Sequence, residues 1–243
     1  MTTPPSSLPE KPDDTPVPLR RLLVVGLLPM ITAACTSTRF DGRTAVEQPW
    51  PLLSHYTAMY SEIDDGDEII AAIDVSKIDR RYLRQLVDYP THERVGTIVV
   101  DPYQRFLYLV QENGQAMRYG IGVAKAGLEY EGDGVIGRKA RWPNWAPTLA
   151  MIEREPERYR PLAAGMLGGI DNPLGARALY LYKNGKDTLY RIHGTTEPWS
   201  IGKSVSSGCI RLFNHDIIDL YQRVQPGSRV VVLGENPSQP ASV

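Results

Sequence analysis

The 243-residue sequence predicts a mainly β fold, a β-sandwich or open barrel with short helices at its periphery, on three observations. From Val95 onward, apolar residues recur with a period of two in short runs, as in half-buried strands. Asn-Gly, the dipeptide that best fits a two-residue hairpin turn, falls between such runs at Asn113-Gly114 and again at Asn184-Gly185. Turn residues punctuate the runs at regular spacing, and no internal repeat is visible.

The elements read as follows. Residues 1–19 are Pro-rich, with Glu10, Asp13 and Asp14 cancelling the three basic residues up to Arg21, and such a stretch forms no core. Leu22 to Ala34 is apolar apart from Gly26, Pro29 and Thr32 and follows Arg20-Arg21. It is short for a membrane span and has the layout of an export signal, by the general or the twin-arginine route. Thr32-Ala33-Ala34-Cys35 resembles a bacterial lipoprotein signal, which implies lipidation of Cys35 as the mature N-terminus. The alternative is cleavage at a nearby small-residue site with Cys35 incidental.

Residues 36–94 read as a linker carrying one amphipathic helix. Trp50-Pro51 and the acidic run Asp64 to Glu68 read as loop. The acidic run lacks alternating oxygen ligands in calcium-loop register, so it is taken as a solvated turn. Asp79 to Tyr89, with Tyr82, Leu83, Leu86 and Val87 at helical spacing, supplies the helix. Strands follow at Thr97–Val100, Phe106–Val110, Ala116–Val123, Ala178–Tyr182 and Thr188–Ile192, which leaves His193 at a strand end. Asn214 is expected to N-cap a helix with Ile217, Leu220, Tyr221 and Val224 on one face and Asp216 and Asp219 in its first turns. Arg229–Leu233 is a last strand. The domain boundaries are therefore 1–35 (extension and export signal), 36–94 (linker), 95–234 (main domain) and 235–243 (polar tail).

Net charge of −1 gives no electrostatic reason for a nucleic-acid partner. The two cysteines, Cys35 and Cys209, do not make a disulfide framework. Cys209 stands 16 residues after His193, with a Pro- and Gly-containing stretch between them that is able to loop out. A thiol is mostly protonated at neutral pH, and an adjacent imidazole converts it to the nucleophilic thiolate.

His193-Gly194-Thr195 and Ser206-Ser207-Gly208-Cys209-Ile210-Arg211-Leu212 together resemble the signature of the L,D-transpeptidase (YkuD-type) catalytic domains of bacterial cell-wall enzymes. The resemblance covers about Val95 to Gly234 and is densest from Tyr190 to Asn214. It implies Cys209 as the acylated nucleophile, His193 as its general base, and Gly208 as the small residue that lets backbone approach the substrate carbonyl. Many members carry a second histidine where this chain has Ser207, and an asparagine where it has Arg211.

The implied substrate is the tetrapeptide stem of peptidoglycan, whose third residue is usually a diamino acid. Cys209 attacks that residue's carbonyl, expels the terminal D-alanine and leaves a thioester that an amine resolves. Backbone N–H groups of Gly208 and Cys209 are the expected oxyanion donors. Ser207, Gly194, Trp199 and Arg211 are candidate substrate contacts. Arg211 has two readings: a carboxylate fork, or an ion pair with Asp216 or Asp219. Asp216, Glu197 or a backbone carbonyl orients His193, and Trp199, Tyr190 and Trp142–Trp145 are candidate apolar walls.

A zinc site from Cys209, His193 and His215 lacks a fourth ligand, so no metal and no cofactor is implied. His55 and His92 are expected to be exposed, and His215 to sit at the helix N-terminal surface. The implied activity is periplasmic transpeptidation, crosslinking stems or attaching protein amines, outer-membrane proteins included, to the wall. Hydrolysis of the same bonds, or a non-catalytic wall-binding lipoprotein, are the alternatives. Contact with a membrane is expected only through a lipid on Cys35.

Overall fold

The computed structural model describes residues 50–66, 68–125 and 130–234, so the export segment, Cys35 and the polar tail lie outside the described residues. In chain order the elements are α1 (Trp50–Met59), β1 (Ile63–Asp64), β2 (Ile69–Ile70), β3 (Gln85–Asp88), β4 (Ile98–Asp101), β5 (Phe106–Val110), β6 (Gln115–Gly120), β7 (Val123–Ala124) and β8 (Gly132–Arg141). They continue with α2 (Leu149–Arg154), α3 (Pro156–Tyr159), β9 (Arg177–Lys183), β10 (Lys186–His193), β11 (Ser204–Ser206), β12 (Ile210–Arg211), α4 (Asn214–Arg223) and β13 (Arg229–Val232). Among the described residues no helix is long and apolar enough to cross a membrane.

Nine strands form one mixed sheet in the order β12-β10-β9-β8-β13-β4-β5-β6-β3. β13 pairs parallel to β4, β10 parallel to β12, and the other neighbours are antiparallel. Past the end of β6, Gly122 bridges to Arg211, and β7 pairs with β11 just ahead of β12. These contacts join opposite ends of the strand order, so the sheet curls over its own core. The curl is the open barrel-like architecture the alternating strands predict.

Residues from both ends of the sheet meet in that core: Ile98, Leu107 and Ile121 with Leu179, Leu181, Ile192 and Ile210. α4 closes it with Ile217, Leu220 and Val224, spaced so that one helix face is apolar. Both Asn-Gly pairs are turns, and all four residues have the left-handed backbone that a two-residue hairpin matched to strand twist requires, with φ of 59° and 68°, then 51° and 74°. At Asp101 the side chain accepts from the backbone N–H groups of Tyr103 and Gln104, which fixes the turn into β5.

Four expectations are corrected. Asp79 to Tyr89 is not a helix: Asp79 caps a single 3₁₀ turn, Arg80–Tyr82, and β3 then pairs with β6. Tyr82, Leu83, Leu86 and Val87 fit either period over so short a window, and the unpaired edge of β6 decides for a strand. Leu83 inserts into a second core with Tyr60, Val75, Ile201 and Phe213, while Leu86 remains outside. Trp50-Pro51 opens a helix rather than a loop, because a proline in the first turn forfeits no hydrogen bond.

The acidic run forms the turn of the β1–β2 hairpin, yet Asp65 is not solvated. Its carboxylate takes both Nη groups of Arg177 at 2.7 Å, with little of either side chain exposed. Asn214 lies inside α4 rather than capping it. Its Oδ1 instead accepts from the N–H of Ala176 at 3.0 Å and of Thr195 at 3.3 Å. α4 is tied to the residue after α1 through Asp216, which is wholly buried and accepts from Tyr60 Oη at 2.9 Å. Burial raises the Asp216 pKa to about 7 despite Arg84 nearby.

The Arg177 hydrogen bonds hold Asp65 below the ordinary carboxylate range. A carboxylate whose folded pKa is depressed contributes stability above its unfolded pKa and loses it as pH falls through the folded value. Asp65→Asn is therefore expected to lower stability at pH 7 by ~1–3 kcal/mol, the scale of charge-assisted hydrogen bonds. The gap to the parent should close as pH falls below about 4. Chemical denaturation of both proteins at pH 7 and at acid pH measures it.

Candidate active site

β10 and β12 run parallel, with Ile192 beside Ile210 and His193 beside Arg211. Cys209 immediately precedes β12 and so lies across from Arg191. Side chains alternate along a strand, so Ile192 and Ile210 point together into the core. Arg191, His193, Cys209 and Arg211 then share the opposite face. The two buried isoleucines lock the register, because a one-residue slip sends them out of the core. His193 and Cys209 become diagonal neighbours, and both line one cavity of about 240 Å³.

The His193 ring is buried, and its Nδ1 lies 2.6 Å from the Gly194 carbonyl. A carbonyl only accepts, so this contact assigns the ring proton to Nδ1 and leaves Nε2 to accept one. Of the three expected orienters, the backbone carbonyl is the one present. Asp216 is engaged by Tyr60, and Glu197 pairs with Arg211 at 2.5 Å. Gly194 is held by Arg177, donating to its carbonyl at 3.1 Å, and has no room for a side chain: an added Cβ lies 2.2 Å from Asn214 Oδ1.

Cys209 is half-buried, with Sγ 3.9 Å from the Leu189 carbonyl. A bulge between Asp187 and Arg191 and a φ of 62° at Leu189 turn that carbonyl toward the sulfur. Such backbone strain in a non-glycine residue is common at functional sites. Among the described residues no hydrogen bond joins Sγ to the His193 ring. Gly208 has φ of 143°, and its N–H donates to Ser206 Oγ at 3.3 Å, while that hydroxyl donates to the Cys209 carbonyl at 2.6 Å. Ser207 Oγ lies 2.9 Å from Tyr159 Oη, which ties the Cys209 loop to α3.

Burial dominates the electrostatics. It lowers the His193 pKa to about 3, and the positive charges of Arg211 and Arg191 add to the effect against the carbonyls of Gly194 and Leu174. Burial also raises the Cys209 thiol, although the Arg191 N–H and the same two guanidinium groups favour the thiolate. The resting pair is neutral thiol and neutral imidazole, not an ion pair.

The remaining expectations separate. Arg211 lines the cavity but is paired with Glu197, not with Asp216 or Asp219; Arg84 and Arg223 occupy Asp219. Tyr190 and Trp145 line cavities at Cys209, whereas Trp142 packs beside Ile70, Ala176 and Ile218. Trp199 stays outside both cavities, more than half exposed, with the Lys203 ammonium 5.2 Å from its ring. His55 and His92 are exposed as expected. His215 is buried rather than at the surface, its Nε2 2.7 Å from the Ser61 carbonyl.

A second, larger cavity of about 870 Å³ also opens on Cys209. Its walls include Arg138, Tyr180 and α2, and the smaller cavity is walled by Met151, Tyr159, Leu162 and Met166. The sequence reading assigns no element to this intervening region. One signal was there: Thr148 precedes the apolar Leu149–Ile152, and its side chain accepts from the Met151 N–H at 3.2 Å as an N-cap.

The profile of the YkuD family, the L,D-transpeptidase catalytic domain, matches residues 96–232, and the chain belongs to that family. Over 148 residues it is 34% identical to the probable L,D-transpeptidase ErfK/SrfK of Escherichia coli, covering 60% of this chain and 46% of that protein. Over 60 residues it is 50% identical to the putative L,D-transpeptidase YkuD of Bacillus subtilis, covering 25% of this chain and 34% of that one. The chain thus spans about half the length, or less, of these curated relatives. A crystal structure from Brucella melitensis described as a probable carnitine operon oxidoreductase is 51% identical, covering 66% of this chain and 99% of that one, with a TM-score of 0.45. That superposition carries no argument about chemistry, and the description stays with that protein.

A neutral thiol makes a direct prediction for the free protein. The rate of Cys209 alkylation by iodoacetamide should climb about tenfold per pH unit from pH 7 to 9 with no plateau, since only thiolate reacts. Peptide mapping separates Cys209 from Cys35. A rate already level at pH 6 contradicts the neutral pair.

Proposed function

We propose that this protein is a periplasmic L,D-transpeptidase that acts on peptidoglycan stem tetrapeptides through a thioester on Cys209. Membership of the family supports the reaction class. The single observation that carries the residue assignment is the β10–β12 pairing, which sets Cys209 and His193 on one face beside a shared cavity. The Arg20-Arg21 and Leu22–Ala34 pattern supports export, and Thr32–Cys35 supports a lipid anchor.

In this reading the carbonyl of the stem's third residue enters beside Sγ. As Sγ bonds to the carbonyl carbon, the thiol proton passes to Nε2 of His193, so attack and proton transfer are coupled rather than preceded by a thiolate. The oxyanion is met by backbone N–H of Cys209 and by that of Gly208, released from Ser206 Oγ as the carbonyl arrives. Collapse breaks the bond to the terminal D-alanine, whose amine takes the proton back from Nε2. An acceptor amine then attacks the thioester, giving its proton to His193 and leaving an amide, and the thiol is restored. The apolar walls Trp145, Tyr159, Met151 and Met166 support aminolysis over hydrolysis by limiting water at the thioester.

The test is product analysis with tetrapeptide, with and without an amine acceptor. The parent should form amide product, and Cys209→Ala none while remaining folded. His193→Ala should lose ~10²–10⁴ in rate, the usual contribution of a general base, with the residual rate rising with pH. Full activity in Cys209→Ala contradicts the nucleophile assignment. Release of D-alanine with no amide product identifies the enzyme as a hydrolase.

A further inference from the structure

Four residues stand in one transverse row across the curled sheet. Arg138 on β8 is in register with Tyr180 on β9, Tyr180 with Arg191 on β10, and Arg191 lies across from Cys209. A bulge brings Arg138 into the row: the register shifts between Ile136 and Arg138, and without it Gly137 stands opposite Tyr180. A side chain there would have to displace the Tyr182 ring, since an added Cβ lies 2.4 Å from it. Bulges of this kind re-aim a side chain beside an active site.

The row carries two guanidinium groups against one ring. Arg138 Cζ is 3.5 Å from the Tyr180 ring centroid and Arg191 Cζ is 4.3 Å from it. The other arginines around Cys209 are engaged by carboxylates: Arg191 by Asp187, with both Nη groups at 2.6 and 2.8 Å, and Arg211 by Glu197. Arg154 and Arg158 lie within ion-pair reach of Glu155. Arg138 makes no ion pair or hydrogen bond among the described residues, is exposed, and lines the larger cavity with Cys209. Asp187 feels its charge but is occupied by Arg191. Stacking on Tyr180 orients the planar group and leaves its N–H edge open to a ligand.

We propose that Arg138, held over the Tyr180 ring, binds a carboxylate of the peptide in the larger cavity and so selects anionic stem peptides. The assignment rests on the transpeptidase reading for the identity of the peptide. Three strand spacings put the Arg138 and Cys209 backbones roughly 14 Å apart. Allowing for the arginine's reach, the carboxylate sits about 10 Å from the attacked carbonyl, or two to three residues of extended peptide. It is therefore not the carboxylate of the departing D-alanine, which is one residue away. Arg211, the position the sequence offers for this role, pairs with Glu197 through Nη1 and lines the smaller cavity rather than the larger one.

Calorimetric titration of the full chain carrying Cys209→Ala, in which no acylation occurs, separates binding from chemistry. The ligands are a stem tetrapeptide with its remote carboxylate free and the same peptide with that carboxylate amidated. The acid form should bind about tenfold tighter, the scale of a charge-assisted fork. Adding Arg138→Gln should bring the acid form down to the amide's affinity and leave the amide's unchanged; Arg138→Lys should recover only part of the difference. Equal affinity of acid and amide for the parent, or undiminished acid binding in Arg138→Gln, overturns the proposal. If the acid preference depends on Arg138 while the Cys209-bearing protein turns over neither peptide, the Arg138 assignment stands and the transpeptidase reading fails.

Discussion

The parallel pairing of β10 with β12 is the constraint on which the rest of the site depends. Neither strand brings chemistry by itself, and β12 is only two residues long. What makes the pair specific is the burial of Ile192 and Ile210 on its inner face, which leaves one register open and so one relation between His193 and Cys209. The short strand is held from several directions. Gly122 bridges Arg211, β11 pairs with β7, and the Leu212 N–H donates to the His193 carbonyl at 2.8 Å. Asn214 Oδ1 then fastens the chain just beyond β12 to the loop after His193. A backbone linked in this way positions the two groups without a hydrogen bond between them.

That placement has an electrostatic consequence. Burial disfavours both charged forms, and the guanidinium groups of Arg191 and Arg211 act oppositely on the two residues, against imidazolium and for thiolate. Both shifts favour a neutral thiol and a neutral imidazole in the free protein, and in the proposed reaction activation waits for a carbonyl to receive the sulfur. A neutral resting thiol is also less open to adventitious oxidation and alkylation, which follow thiolate character. Arg211 has a structural partner in Glu197 through Nη1, while its charge still reaches the site.

The sequence made legible what local chemistry decides. Asn113-Gly114 and Asn184-Gly185 announce their hairpins because few other residues accept left-handed backbone at both turn positions. The Gly-Cys and His motifs point to the candidate site through their residue types and order. What was hidden depends on partners distant in the chain. Tyr82, Leu83, Leu86 and Val87 suit a helix in isolation, and the edge of β6 makes them a turn and a strand. Asp65 reads as solvated until Arg177, 112 residues later, folds onto it. Asn214 has the composition of a cap, yet the orphan N–H groups of two neighbouring loops claim its oxygen first. The bulge at Gly137 that aims Arg138 is visible only once β8 and β9 are in register.

The most direct measurement of the central claim is the intact mass of the protein after brief exposure to a stem tetrapeptide, with the modified residue mapped by proteolysis. A sulfur held beside His193 as described should gain one acyl group, equal to the tetrapeptide less its terminal D-alanine. The gain should lie on Cys209 alone and disappear when an amine acceptor is added. An unmodified Cys209 under conditions of turnover, or an adduct that persists in Cys209→Ala, contradicts the account.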